Sequence, residues 1–348
     1  MRRILAGTAA IVGGVLAVAG CSSSSSSSAP ASSGSSSAAA AAPVTVRLGY
    51  LANITHAPAL IGVKNGYFTK ALGANTLKTT VYSSGTQETT AILAGQLDAA
   101  YVGPNPAINA YQKSGGTAIK VVSGAATGGA SVVVKSSISS AAQLKGQSLA
   151  TPSLGNTQDV AVRYWLKQQG LATSTTGGGD VSIKPTAPNS AAVLEFKSGQ
   201  IAGASEPSPY DVQIVQDGGK VLLSEPGVTT VLVVTQSFLS AHPDVVADLL
   251  KANVQALGYI KADPAAAAAA ANAQLAAYTG KPLKAKVLTP AFKEITFTAD
   301  PDAASLTADA QQANTLGLLK SADVSGIFDL GPLNSILSAA GDPTVSAG

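Results

Sequence analysis

The residues of this chain that could do chemistry sit in five short polar loops. They are Asn53, Thr55 and His56; Ser83, Ser84, Gly85 and Thr86; Gly103 and Asn105; Ser153, Gly155, Asn156 and Thr157; and Glu206 with Tyr210. Each set follows a short apolar run and opens a segment with helical periodicity. That placement suits binding. The first N–H groups of a helix have no partner within it and carry partial positive charge, so an anion can be held there without Arg. Hydrogen bonds to a charged group contribute about 1.5–3 kcal/mol each, so three to five of them approach the roughly 8 kcal/mol of a micromolar complex. Arg is scarce: beyond Arg2 and Arg3 there are Arg47 and Arg163. Ser84, Asn105 and Asn156 read equally well as helix caps, and His56 as a loop hydrogen-bonding residue. His242, ahead of Pro243, reads as a cap. Glu206 would accept a ligand's amine if it faces one, and is otherwise a solvated rim residue.

The inventory for catalysis is thin. There are two His, far apart in sequence, and a single Cys, Cys21. No Ser is followed three residues later by Lys, and Gly203-Ala204-Ser205-Glu206-Pro207 has Pro where a nucleophile elbow needs Gly. Phosphate-loop and dinucleotide fingerprints are missing, and two distant His make a poor zinc site. The residues therefore point to a binding protein with no enzyme activity, no cofactor and no metal.

Two of the loops belong to a repeated plan. Residues 95–106, GQLDAAYVGPNP, return in outline at residues 199–209, GQIAGASEPSP. In both, an apolar helical segment runs into Gly-Gln, a short apolar strand, a Pro-containing loop and a further helix, and Gly115-Gly116 and Gly218-Gly219 close the two units. A single repeat at about a hundred residues has the size of a domain. Strands are expected at 44–50, 77–82, 99–102, 119–122, 131–135, 147–151, 181–183, 201–204, 221–223 and 230–235, alternating with helices. Ser84 and Gln87 form a capping box; Asn105 and Ser208 read as caps with Pro106 and Pro209 at the first helical position. Residues 173–179 read as a surface loop. Residues 243–261 show a helical face, and Asp263-Pro264 starts an Ala-rich helix. The remainder to Leu337 reads as helices packing back on the first unit. These elements predict an α/β fold with two doubly wound lobes whose equivalent loops face one another.

The N-terminus explains part of the low charge, 12% of 348 residues. Arg2-Arg3, a small apolar run over 4–20 and Val18-Ala19-Gly20-Cys21 read as a signal peptide through residue 21. Its end resembles the bacterial lipobox, which implies a diacylated, palmitate-type anchor on Cys21. The twin-arginine motif is incomplete, which favours the general export route. Residues 22–43, almost only Ser and Ala, read as a disordered tether with a span of roughly 25 Å. The formal charge of +3 falls to near zero once Arg2 and Arg3 are removed, which leaves no footprint for nucleic acid.

The ordered set VRLGYLANITHAPALIGVKNGYF, AILAGQLDAAYVGPNPAI, LKGQSLATPSLGNTQD and GQIAGASEPSPY resembles substrate-binding lipoproteins of ABC importers, in the branch for nitrate, taurine and aliphatic sulfonates. The resemblance spans residues 44–250. It implies the periplasmic-binding-protein fold of type II-like order, with lobe I at 44–131 and 232–348, lobe II at 132–231, and crossovers near 130–136 and 227–235. It also implies a monomer on the extracytoplasmic face of the cell membrane, handing a small solute to an ABC permease and its ATPase. A sulfonate such as taurine or an alkanesulfonate is the expected solute; nitrate, bicarbonate and a pyrimidine or other aromatic solute are alternatives, as is a surface-anchored sensor. Enzymes of the branch that make a pyrimidine precursor rely on a Cys-rich motif this chain lacks.

Overall fold

Alternating apolar residues build the first strand, β1 (Thr45–Leu51), with Val46, Leu48 and Tyr50 buried. The computed structural model describes residues 42–348; the leader, Cys21 and nearly all of the Ser/Ala tether lie outside them. After β1 come α1 (Ala57–Lys64), α2 (Tyr67–Leu72), β2 (Thr76–Tyr82), α3 (Gly85–Leu93), β3 (Ala99–Val102), α4 (Pro104–Lys113) and β4 (Ile119–Gly128). Then follow β5 (Ala130–Lys135), β6 (Ser148–Thr151), α5 (Thr157–Gln168), β7 (Ser182–Pro185), α6 (Asn189–Lys197), β8 (Gly203–Pro207), α7 (Tyr210–Gln216) and β9 (Gly219–Ser224). The chain continues through β10 (Val228–Thr235), α8 (Gln236–Ala241), α9 (Pro243–Ala262), α10 (Pro264–Thr279), α11 (Ala285–Lys293), β11 (Ile295–Phe297), α12 (Ala303–Thr315) and α13 (Gly331–Ala340).

The strands form a six-stranded sheet, β11-β4-β10-β3-β1-β2, and a five-stranded sheet, β7-β6-β8-β5-β9. Leaving β11 aside, both have one plan: the second, first and third parallel strands of the unit, then an antiparallel strand, then the fourth. The antiparallel member is β10 in one sheet and β5 in the other. Each has just left the opposite sheet, through Gly128-Gly129 or through residues 225–227. Both glycines lie near φ 70°, where a Cβ would be strained. The sequence repeat is thus a repeat of topology. Ala99 pairs with Leu48 and Val234, and its counterpart Gly203 pairs with Leu149 and Val134.

Apolar layers cover both faces of each sheet. On the six-stranded sheet, Val46, Leu48, Tyr50, Leu232 and Val234 face α1, α2, α9 and α10, while Ala100, Val102, Val231 and Val233 face α3, α4 and α12. On the five-stranded sheet, Val132, Val134 and Leu149 meet Val162 and Leu166 of α5, and Val133, Ala150 and Ala204 meet α6 and α7. The Ala-rich segment is a true helix: Asp263 accepts from the Ala266 N–H at 2.9 Å, and Ala267, Ala271 and Leu275 are buried.

Several local expectations are corrected. Pro104 takes the first position of α4, with Gly103 as the extended cap, so Asn105 lies inside the first turn instead of capping it. Proline disfavours a helical conformation in the residue before it, and extended Gly103 accommodates Pro104. Glu206 and Pro207, expected in a loop, remain in β8 because Ser131 and Ala130 of β5 continue the ladder opposite them. Pro209, not Ser208, occupies the cap of α7; Ser208 Oγ donates to Asp211 Oδ1 at 2.7 Å instead. The His242 side chain caps nothing, and its ring lies 5.1 Å from that of Phe238. β4 runs on to Gly128, and β11 adds an edge strand where only helices were expected.

Gly203 is pressed against its neighbour: a Cβ there would lie 2.3 Å from Val133 O. Gly203→Ala is expected to destabilise the protein by about 3 kcal/mol, the scale of overpacking in a tight core. Urea unfolding measures this, and an unchanged midpoint would show that the strands part freely.

Candidate functional site

Five helices begin around one small space between the two sheets. Its wall includes His56 at the cap of α1, Gly85 at the first position of α3, Gly103 at the cap of α4, Asn156 and Thr157 at the start of α5, and Asn189 at the start of α6. Asn53, Thr55, Gln158, Pro207 and Thr229 complete much of the lining. The space is about 20 Å³ to the centre of a water-sized sphere, room for about one water molecule. None of the lining residues is Lys, Arg, Asp or Glu.

The polar groups on this wall are mostly donors. Asn53 Oδ1 is taken by Thr55 Oγ1 at 2.8 Å and by the His56 N–H at 3.3 Å, leaving its amide nitrogen to donate. His56 Nδ1 accepts the Leu51 N–H at 3.2 Å, which makes Nε2–H the donor of the ring. Burial keeps this ring neutral, with its pKa pushed down to about 3. Asn156 is a working cap: its Oδ1 accepts from the Asp159 N–H at 2.9 Å and its amide donates to Gln158 Oε1 at 2.9 Å. Ser84 caps α3 in the same way, at 3.4 Å from Gln87 N. These caps satisfy the third N–H of each helix. The N–H groups of Gly85, Thr86, Thr157 and Gln158 find no protein acceptor among the described residues. In α4, Pro104 and Pro106 remove two first-turn donors, so that helix offers its dipole and little else.

Beyond Leu51, Asn53 and Asn189, which wall both spaces, lies a vestibule of about 440 Å³. Ser83 and Tyr210 line it, with Tyr82, Leu275, Tyr278 and Lys281. Tyr278 is held by a 2.5 Å hydrogen bond between its hydroxyl and that of Tyr50. Contacts across the space hold the two halves together: Ile54 N–H donates to Ser208 O at 2.9 Å, Tyr210 OH to Ala52 O at 2.9 Å, and the hydroxyls of Thr86 and Ser153 meet at 3.0 Å.

The structure therefore brings Asn53, Thr55, His56, Gly85, Gly103, Asn156 and Thr157 to the inner space, and Asn53, Ser83 and Tyr210 to the vestibule. Thr86 and Ser153 join hands beside it. Gly155 is occupied otherwise, its N–H bonded to Asp159 Oδ2 at 2.9 Å. Asn105 and Glu206 line neither space. Asn105 donates to Asp309 O at 3.2 Å, and its Oδ1 is buried without a partner. Glu206 is completely buried beneath Asn189 and Tyr210, and both its oxygens lack partners. Desolvation by burial holds it well above the usual carboxylate range, opposed by the neighbouring Asn189 amide and reinforced by repulsion from Asp211 and Glu225. Sequence reasoning missed Gln158, Asn189, Thr229 and the α10 side of the vestibule. Asn189, next to Pro188 at a helix start, carried a readable signal; α10 reaches the site from far along the chain and carried none.

The fold agrees with that of known proteins. A model of the NMT1-like family matches residues 39–276. The chain belongs to the NMT1-like family. Among solved structures, the alkanesulfonate-binding protein SsuA from Xanthomonas axonopodis pv. citri, bound to MOPS, superposes with a TM-score of 0.70 at 18% identity, covering 84% of this chain and 100% of that one. The periplasmic nitrate-binding protein NrtA from Synechocystis PCC 6803 gives 0.68 at 16% identity, over 82% of this chain and 83% of that one. The aliphatic sulphonate binding protein SsuA from Escherichia coli gives 0.61 at 18% identity, over 79% and 92%. No curated protein matches by sequence. This NMT1-like chain thus has the fold of periplasmic solute-binding proteins.

Neutral, buried His56 makes stability depend on pH. The unfolded chain protonates it near 6.5 and the native state only near 3, so its contribution is full above about 6.5 and is lost as pH falls toward 3. The stability advantage of wild type over His56→Asn should narrow by about 1 kcal/mol per pH unit below about pH 6. Urea titrations of both proteins across that range check it; a constant difference would mean the ring is charged or exposed.

Proposed function

We propose that this chain is a solute-binding protein of an ABC importer that captures a small organic anion, with an organosulfonate as the favoured class. The observation that carries this reading is the convergence of unpartnered helix N–H groups and side-chain donors on an inner space without a charged residue. Once the lobes part enough to admit a head larger than the one water the closed space holds, an anion supplies the acceptors those donors lack. Neither Arg of the folded part takes part: Arg47 pairs with Asp98, and Arg163 is buried against Asp159. The vestibule favours a ligand with an organic tail over bare nitrate or bicarbonate, because Leu275, Tyr82 and Tyr278 offer that tail apolar surface. The lining has no nucleophile and base paired for turnover, which supports binding without catalysis.

In this reading the bodies around the two sheets are the lobes, and they open and close about Gly128-Gly129 and residues 225–227. Cys21 carries the lipid and residues 22–43 tether the body outside the cell membrane, near a permease and its ATPase. No described helix is long and apolar enough to cross a membrane.

Thr157→Pro tests the helix-terminus mechanism. It removes one N–H at the first position of α5, where Asn156 is already extended and Pro is tolerated. Thr157→Val removes the hydroxyl alone. In calorimetric titrations with propanesulfonate and taurine, the Pro variant should bind about tenfold or more weakly than the Val variant, the cost of one hydrogen bond to a charged group. Nitrate should bind wild type more weakly than either sulfonate. Equal affinities for the two variants would remove the helix N–H groups from the site, and binding of pyrimidines but no sulfonate would replace the ligand class.

A further inference from the structure

We propose that the groove between α5 and α12 is a second binding site, for a small organic ammonium ion. The groove has a volume of about 440 Å³, within the usual range for small-molecule sites, and is floored by residues 223–229. It meets the inner space only at the wall formed by Thr157 and Thr229.

Its chemistry is the reverse of the inner space. Two carboxyl groups line it, Glu225 from the connector and Asp309 from α12, and no Lys, Arg or His does. Neither carboxyl belongs to an ion pair among the described residues. Asp309 Oδ2 is closed to solvent and has no hydrogen-bond partner. Glu225 Oε1 accepts from Ser205 Oγ at 2.6 Å, which leaves its second oxygen available. Lys167 bridges the same two helices farther along, donating to Thr315 O at 2.9 Å, and lies outside the groove. Burial raises both carboxyl groups, Glu225 to about 8 and Asp309 well above its usual range, with Glu225 and Asp302 adding repulsion at Asp309.

An unpaired buried acid is expensive unless a donor reaches it. A primary ammonium has three donors, and its charge favours the ionised form of carboxyl groups that burial alone keeps protonated. The α5 wall supplies Tyr164 and Trp165, aromatic surfaces that suit a cation with an apolar body. A metal ion fits less well, since no cluster of three or more His, Cys, Asp or Glu suited to one occurs among the described residues.

The test uses the mature full chain, benzylammonium chloride as probe and benzyl alcohol as its uncharged counterpart. Calorimetric titration should give saturable binding of benzylammonium and none of benzyl alcohol. Asp309→Asn should weaken the ammonium about tenfold or more, the loss of one charged hydrogen bond. Gln312→Lys, one turn along α12, should abolish binding by placing a tethered ammonium in the groove. Absence of saturable binding, equal binding of the alcohol, or an unaltered affinity in Asp309→Asn would overturn the proposal. Should Asp309→Asn fail to fold, Gln312→Lys decides alone: wild-type affinity in that variant overturns it.

Discussion

Each sheet is completed by a strand that arrives from the other one, and the exchange of β5 and β10 is the constraint everything else obeys. Every residue of β10 is buried, and the strand contributes side chains to the apolar layers on both faces of its sheet. β5 pairs on both sides as well. Two connectors of two or three residues therefore fix the distance between the sheets. The carboxyl ends of their parallel strands, and the helices that start there, have nowhere to point except at one another. The site follows from the topology before any side chain is chosen.

The inner space shows how a pocket carries positive character without a basic residue. The positive character lies in the backbone, and side chains serve chiefly to hold the backbone still. Asp159 illustrates the arrangement. Its carboxylate accepts from Gly155 N–H at 2.9 Å, Thr151 Oγ1 at 3.0 Å and Arg163 Nε at 2.9 Å, and so fixes the loop that leads into α5. A bare carboxylate in that turn would offset the positive end of α5; buried Arg163 cancels its charge. Arg163 thus preserves the positive end of α5 without lining the space.

Much of this was legible in the sequence because local rules governed it. The loops at strand ends, the capping roles of Ser84 and Asn156, and the Ala-rich helix all depend on residues within a few positions of one another. The repeat was legible because the two sheets share a register, as Ala99 and Gly203 show. What escaped was orientation. Glu206 occupies the β8 position that Val102 holds in β3, each opposite the antiparallel strand at Ser131 and Val231. Only the pleat, set by long-range pairing, says that its carboxyl turns toward α6 and α7. Asn105 escaped for a local reason: with two prolines flanking it, the sequence allowed either to open the helix, and Gly103's extended backbone selected the first.

The hydroxyl pair of Thr86 and Ser153 is the weakest of the three contacts across the space. Both groups are accessible, and either can donate. Water replaces such a contact almost isoenergetically, since an exposed neutral hydrogen bond contributes little net free energy. This one contact therefore adds almost no holding power. The halves are held instead by the two bonds that end on backbone carbonyls, Ile54 N–H to Ser208 O and Tyr210 OH to Ala52 O, so the seam is strongest at the inner ends of β1 and β8 and weakest at its rim.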